Sequence, residues 1–430
     1  MFFLRRFKFV FFFMLLAFAT EGFSQKTLSR LIVGSGGAFS NPNDFVTVSA
    51  YSPTSQTSTF IGEIKTQAIQ DVLVDSVGIY VSATDSIVLF DAATFEKKAS
   101  TAVSGVRYLL VVNDLLFVSI QYPETSNFVK VFNKHTLELQ SVVTQITGEA
   151  AGMLRVENQV YVAVPGDWTS TEGKMAILNA SDGAFVEEVD FSTAGVGIHD
   201  LFLYQNKVLT VQRSAWGSTS GMIMLFNPLD KTLQQYPLAL NVGKGIGIHD
   251  DLLYVQLNNA LGTINLSNFE VENPALVPDP GSASYISFGD VVLDPIGEKL
   301  YASTTDYFSM GAGFIYDLNG NATGTFEAGI STEALALEYG YYTGLNKDLL
   351  PHITFSPHPV KDVLNLRLPV EIDAVRLEMV GSNGLLVLSH QLKGTLSQQL
   401  NVGELPSGLY LLRLVAGNGK VMAQSKMIKL

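Results

Sequence analysis

Val160-Tyr161-Val162-Ala163-Val164 is a short apolar strand. It is followed by a Gly/Ser/Thr-rich loop, a second strand at Lys174-Met175-Ala176-Ile177-Leu178, a turn from Asn179 to Gly183 and a further strand. Related openings recur at Leu31-Ile32-Val33, Ile79-Tyr80-Val81, Leu116-Phe117-Val118, Val208-Leu209-Thr210, Leu253-Tyr254-Val255 and Leu300-Tyr301-Ala302. Their spacing of about 40 residues is the period of a propeller blade. An apolar strand precedes most of these openings, as in Ala68 to Val74, Val106 to Val112 and Ile286 to Leu293. With the two strands that follow, each unit holds the four strands of a blade. Asn113-Asp114, Asn206-Lys207 and Ser181-Asp182-Gly183 supply the tight turns.

The first copy lacks an inner strand of its own, because only a few residues separate Gln25 from Leu31. Glu333-Ala334-Leu335-Ala336-Leu337-Glu338-Tyr339 has an inner-strand pattern with no Tyr-Val strand behind it. Pairing it with the first copy closes the ring and removes the open sheet edge a linear array would leave. The expected fold is all-β: a seven-bladed β-propeller over residues 25–345, closed by its N- and C-terminal strands, then a linker at 346–352 and a small β-sandwich at 353–430.

Composition suits this reading. The chain has 430 residues, 47% hydrophobic and only 16% charged, with abundant material for more than one core. Residues 1–24 read as a signal peptide: Arg5, Arg6 and Lys8, an apolar run from Val10 to Ala19, and the small-x-small site Gly22-Phe23-Ser24. No later stretch is long enough to span a bilayer, so no transmembrane anchor is expected after cleavage. The chain has no cysteine, which excludes disulfides, thiol catalysis and a lipoprotein acceptor. Its formal charge of −13 becomes about −15 when three bases and one acid leave with the signal, which argues against nucleic-acid partners.

Two resemblances follow. Tyr80-Val81-Ser82-Ala83 leading to Leu89-Phe90-Asp91-Ala92-Ala93-Thr94 resembles the YVTN-type seven-bladed propellers of bacterial surface and periplasmic proteins, which implies the fold but no activity. The tail resembles the C-terminal sorting domain of the type IX secretion system of Bacteroidetes. The similarity lies in Pro357 and Pro359 before Asp362-Val363-Leu364-Asn365-Leu366, in Gly384-Leu385-Leu386-Val387, in Gly408, Tyr410 and Arg413 within Pro406 to Leu414, and in Lys429 next to the last residue. His358 stands where that family has Asn, and Gly381 where an Asp commonly opens the turn. The resemblance implies the type IX machinery as a partner and export through the periplasm to the surface or the medium.

Motifs for chemistry are sparse. Gly34-Ser35-Gly36-Gly37-Ala38-Phe39 fails the dinucleotide fingerprint at its last glycine. Asp317-x-Asn319-x-Asn321 begins like a calcium loop but has Ala322 for the required Gly, so it reads as a hairpin turn. No metal site and no cofactor are expected. No pair of carboxylates stands out as a glycosidase pair.

Two features remain. Val196-Gly197-Ile198-His199-Asp200 and Ile246-Gly247-Ile248-His249-Asp250 put His-Asp pairs between consecutive blades. This spacing suggests equivalent positions at the mouth of the central channel, as blade-registering hydrogen bonds or as polar ligands. The second feature is a set of five long loops after the second strands: Ser35 to Asp44, Gln121 to Asn127, Pro165 to Gly173, Gln212 to Gly221 and Thr304 to Gly313. They carry Phe39, Tyr122, Trp168, Trp216, Tyr307 and Phe308, with Arg213 among their charges. Aromatic rings edged by hydroxyls and amides suit a glycan or a protein ligand. The expectation is a non-enzymatic binding or scaffold module. The alternative is a hydrolase or lyase on the same face, with His199, His249 and Arg213 as acid/base and anion-stabilising groups.

Overall fold

A computed structural model describes residues 25–167, 173–215, 217–342, 354–367, 376–381, 385–392, 397–415 and 421–430. The expected signal peptide and linker, with Trp168, Trp216 and Gly384, lie outside them. Two compact units emerge, one spanning Thr27–Gly340 and the other holding the C-terminal strands.

The first unit is a propeller of seven four-stranded antiparallel sheets. From the axis outward, blade 4 consists of Met153–Val156, Gln159–Val164, Lys174–Asn179 and Phe185–Asp190. The innermost strands of blades 2, 3, 5, 6 and 7 are Ile69–Val74, Val106–Val112, Ile198–Tyr204, Val242–His249 and Ser287–Asp294. From blade 2 to blade 7 each packs against the innermost strand of the next, so together they surround the axis. Burial follows from this order. Second strands such as Ile79–Ala83 are covered on both faces and buried throughout, whereas the outer Lys97–Ala102 is mostly exposed and polar.

Blade 1 is assembled from both ends of the unit, in the order Thr332–Tyr342, Gln25–Ser35, Val46–Ser52, Thr57–Ile64. The closure expected from Glu333 to Tyr339 is therefore present. Arg30 donates from Nε and Nη2 to the two carboxylate oxygens of Glu338, both at 2.6 Å. The Ser35 and Thr332 hydroxyls bond at 2.7 Å. The seam has a core of its own: Leu31, Val33, Tyr51 and Leu335 of blade 1 pack on Tyr301, Ile315 and Phe326 of blade 7. Each other pair of neighbouring blades encloses a comparable cluster, so the hydrophobic core is distributed over the interfaces.

A recurring turn sets the outer hairpins. Asp91, Asn133, Asn179, Asn227, Asn265 and Asp317 each end or follow a third strand, and each accepts from a backbone N–H two residues on. Asp317 thus serves a hairpin, as the missing loop glycine implies.

The second unit contains a three-stranded sheet (Thr354–Ser356, Val363–Arg367, Ser397–Asn401) and a four-stranded sheet ordered Leu386–Gln391, Arg376–Gly381, Gly408–Val415, Val421–Lys429. Leu364, Leu366, Met379, Leu412 and Met427 are among the residues buried between them. Val360, following Pro357 and Pro359, ties the sheets together: its N–H donates to Ile428 O and its carbonyl accepts from Leu430 N, both at 2.8 Å. Tyr410 donates its hydroxyl to Pro406 O at 2.7 Å, and Lys429 is buried with Nζ on Leu430 O. The imidazole of His358 packs edge-on against Phe355, at 5.3 Å between centroids.

Candidate functional site

The loops after the second strands and the segments entering the innermost strands share one face of the propeller, and two clefts open there. The smaller, about 270 Å³, lies where blades 7, 1 and 2 meet and is lined by Phe39, Tyr307, Phe308, Gln67, Ser331 and Glu333. Phe39 and Phe308 are 81% and 67% exposed. Local bonds keep them from folding back. Gln67 Nε2 donates to the carbonyls of Ala38 (3.1 Å) and Asn41 (2.8 Å), and Ala38 N–H donates to Asp44 Oδ2 at 2.8 Å. On the facing loop, Asp306 Oδ1 accepts from the N–H groups of Phe308 and Ser309, and Oδ2 accepts from the Ser309 hydroxyl. That hydroxyl, with the two amides, holds the Asp306 carboxyl down at about 2. At the floor, Ser331 donates to Glu333 at 2.8 Å, while burial raises the Glu333 pKa.

The larger cleft, about 790 Å³, lies between blades 3 and 4 and is lined by Arg107, Gln121, Tyr122, Glu124, Glu149 and Asp167, among others. Tyr122 is 77% exposed. Its N–H donates to Glu149 Oε1 at 3.0 Å, and Gln121 Nε2 donates to Ala150 O at 2.8 Å, which anchors the loop to the next blade. Burial raises the Glu149 pKa; the Tyr122 amide and the Arg107 charge work against it.

The remaining site residues are placed differently from expectation. Arg213 does not stand on the open face. It directly follows Lys207–Gln212, its N–H donates to Gly197 O, and its guanidinium turns inward to Asp200 with Nε–Oδ2 3.1 Å and Nη2–Oδ1 2.9 Å. His199 sits beside it, with Nδ1 3.3 Å from Asp200 Oδ1 and Nε2 3.4 Å from the Tyr108 hydroxyl. An ionised Asp200 can only accept, so Nδ1 carries the proton and Nε2 accepts from Tyr108. Burial would raise Asp200, but Arg213 and His199 hold it well below the carboxylate range. Burial and the Arg213 charge lower His199, which is therefore neutral at pH 7.

The two His-Asp pairs are not equivalent. Ile198 pairs with Gln212, so His199 lies near the start of its strand, whereas His249 pairs with Leu252 at the hairpin end of Val242–His249. Two bulges in the glycine-rich strand, at Val242/Gly245 and Gly245/Gly247, separate sequence count from position. His249 Nε2 stands 3.4 Å from the exposed Asp250 carboxylate.

The structure adds a device absent from the sequence expectations. Asp71 Oδ2 accepts from Leu109 N, Asp200 Oδ2 from Gly245 N and Asp290 Oδ2 from Leu335 N, at 2.8, 2.9 and 2.8 Å. In each case an innermost-strand carboxylate binds the innermost strand of the next blade, and the third bond crosses the seam. Each Asp lies at a bulge, which aims its side chain sideways. The signal was available as Asp71-Val72-Leu73-Val74, Asp200-Leu201-Phe202-Leu203 and Asp290-Val291-Val292-Leu293. Lys244 completes the channel wall by pairing with Asp290.

Asp71, unlike Asp200, forms no ion pair among the described residues, and burial pushes it up to about 7 against the Leu109 amide and the more distant Lys244. A carboxyl raised in the folded state holds a proton that the unfolded chain has released, so stability falls as pH rises from about 4 to about 7. Asp71→Asn, which keeps an acceptor for Leu109 N, is expected to remove this contribution, at most about 1.4 kcal/mol per pH unit. Melting temperatures of both proteins across that window test it. Parallel curves would show that Asp71 does not titrate there.

Residues 355–429 match the secretion system C-terminal sorting domain, and the chain is therefore exported to the cell surface or secreted. No curated protein matches the chain. Among solved structures, the extracellular domain of a putative one component system from B. thetaiotaomicron is similar at 12% identity and TM-score 0.48, over 92% of this chain and 57% of that one. A putative 6-phosphogluconolactonase from Bacteroides fragilis aligns at 13% identity and TM-score 0.52, over 72% of this chain and 98% of that one. A hypothetical selenium-binding protein from Sulfolobus tokodaii aligns at 10% identity and TM-score 0.53, over 75% and 95%. The last two likenesses concern the fold alone.

Proposed function

We propose that this chain is an exported recognition module. The sorting domain engages the type IX machinery, and the propeller binds a glycan through its loop face without catalysing a reaction. The observation that carries the reading is the smaller cleft, where Phe39 and Phe308 come from loops far apart in sequence and are held outward beside Gln67, Ser331 and Glu333. Exposed rings fixed by hydrogen-bonded loops cost little entropy on binding and offer flat faces for stacking on sugar rings. A hydrolase based on His199, His249 and Arg213 has less support. Both Asp200 oxygens are engaged by Arg213, with His199 and Gly245 N as further donors, and His249 lies at the opposite strand end.

The full-length Phe39→Ala/Phe308→Ala variant is expected to lose at least about tenfold in affinity for whole-cell and matrix glycans, measured by retention on immobilised polysaccharide. Both rings are exposed, so melting should be unchanged. Equal retention of variant and parent would refute this reading.

A further inference from the structure

Arg107 reaches from the larger cleft toward the smaller. Arg107 lines the larger cleft, and its Nη1 donates to the Gln70 side-chain carbonyl. Gln70 follows closely on Gln67 and Ala68, which line the smaller cleft. The Arg107 charge also acts on an acid in each, opposing the burial that raises Glu149 and the burial that raises Glu333. A polar track from Glu333 past Arg107 to Glu149 therefore crosses the face, with Phe39 and Phe308 at one end and Tyr122 at the other.

Resting on the glycan reading above, we propose that the two clefts are the ends of one binding site for an extended, uncharged oligosaccharide, which stacks on the Phe39/Phe308 rings and on Tyr122 and passes over Arg107. Three arguments select this ligand. Glu333, Glu124, Glu149 and Asp167 outnumber Arg107 along the track, which disfavours a uronate or sulfated chain. The lining offers amide, hydroxyl and carboxyl side chains (Gln67, Gln121, Thr125, Thr147 and Ser331 among them), which match sugar hydroxyls. An extended peptide, by contrast, gains most of its affinity by adding to a sheet edge, and this face presents strand ends and loops.

The test is calorimetric titration of the full chain with neutral gluco-, manno- and xylo-oligosaccharides from disaccharide to octasaccharide. For at least one series, affinity should rise with length until both clefts are spanned and then level off. Phe308→Ala and Tyr122→Ala should each weaken the octasaccharide about tenfold. If affinity is independent of length and only Phe308→Ala weakens it, the joined site is wrong while glycan recognition stands. If no series binds, or only an extended peptide does, the recognition reading falls together with this one.

Discussion

Deleting residues 353–430 is expected to abolish appearance of the protein outside the cell and to leave the propeller in the periplasm. The deletion leaves the propeller strands intact, because the closing strand Thr332–Tyr342 and every inter-blade cluster precede residue 353. Retention can then be attributed to the lost signal and not to misfolding. The sorting domain is itself a folded sandwich in which Tyr410 and Lys429 are buried and Val360 joins the two sheets. Loss of export should thus require damage to a domain and not to a short linear tag. Fractionation with protease shaving gives the readout, with a melting curve of the truncated chain as control. Wild-type amounts in the medium would defeat the assignment of the tail.

Asp200→Ala is expected to be among the most destabilising single changes in the propeller, at about 3–5 kcal/mol. The carboxylate accepts two bonds from Arg213, one from His199 and one from Gly245 N across the blade interface. Its removal leaves the guanidinium without its partner in the channel wall and an inter-blade amide unsatisfied. Asp200→Ala with Arg213→Ala should cost clearly less than the sum of the two single changes, because the orphaned charge is gone. The pH signature is opposite to that of Asp71. A carboxyl held low in the folded state contributes stability above its ordinary pKa of about 4, and that contribution is lost as pH falls below this value. Urea denaturation of the four proteins at pH 7 and pH 3.5 separates these terms. A loss of under about 1 kcal/mol for Asp200→Ala at pH 7 would show that the blades are registered by apolar packing alone.

Much of the fold was legible in the sequence. The strand repeat is read from apolar runs and turn residues, both of which act locally. The closing strand is found by a missing element at one end and a surplus at the other. The site was less legible because bulges break the link between sequence interval and position. His199 and His249 share a five-residue motif, yet the insertion of residues around Gly245 and Gly247 moves the second to the far end of its strand. Arg213 lies in its expected loop, directly after Lys207–Gln212, but the partner that turns its guanidinium inward, Asp200, sits on a different strand and is not visible from sequence interval. Of the expected loop aromatics, Phe39, Tyr122, Tyr307 and Phe308 are among the described residues and line the two clefts. Their grouping into two clefts depends on which blades adjoin across the seam, and blade 7 meets blade 1 only once the ring is closed.

That seam also dictates when the protein can finish folding. The first strand made, Gln25–Ser35, waits for the partner at Thr332–Tyr342, and Arg30 reaches Glu338 across a sequence separation of 308. Every shorter nascent chain exposes an unmatched ribbon at its beginning, so maturation is governed by arrival of the final segment and is slow by topology. For an exported protein that delay is an advantage: the chain stays threadable until its circle can be completed.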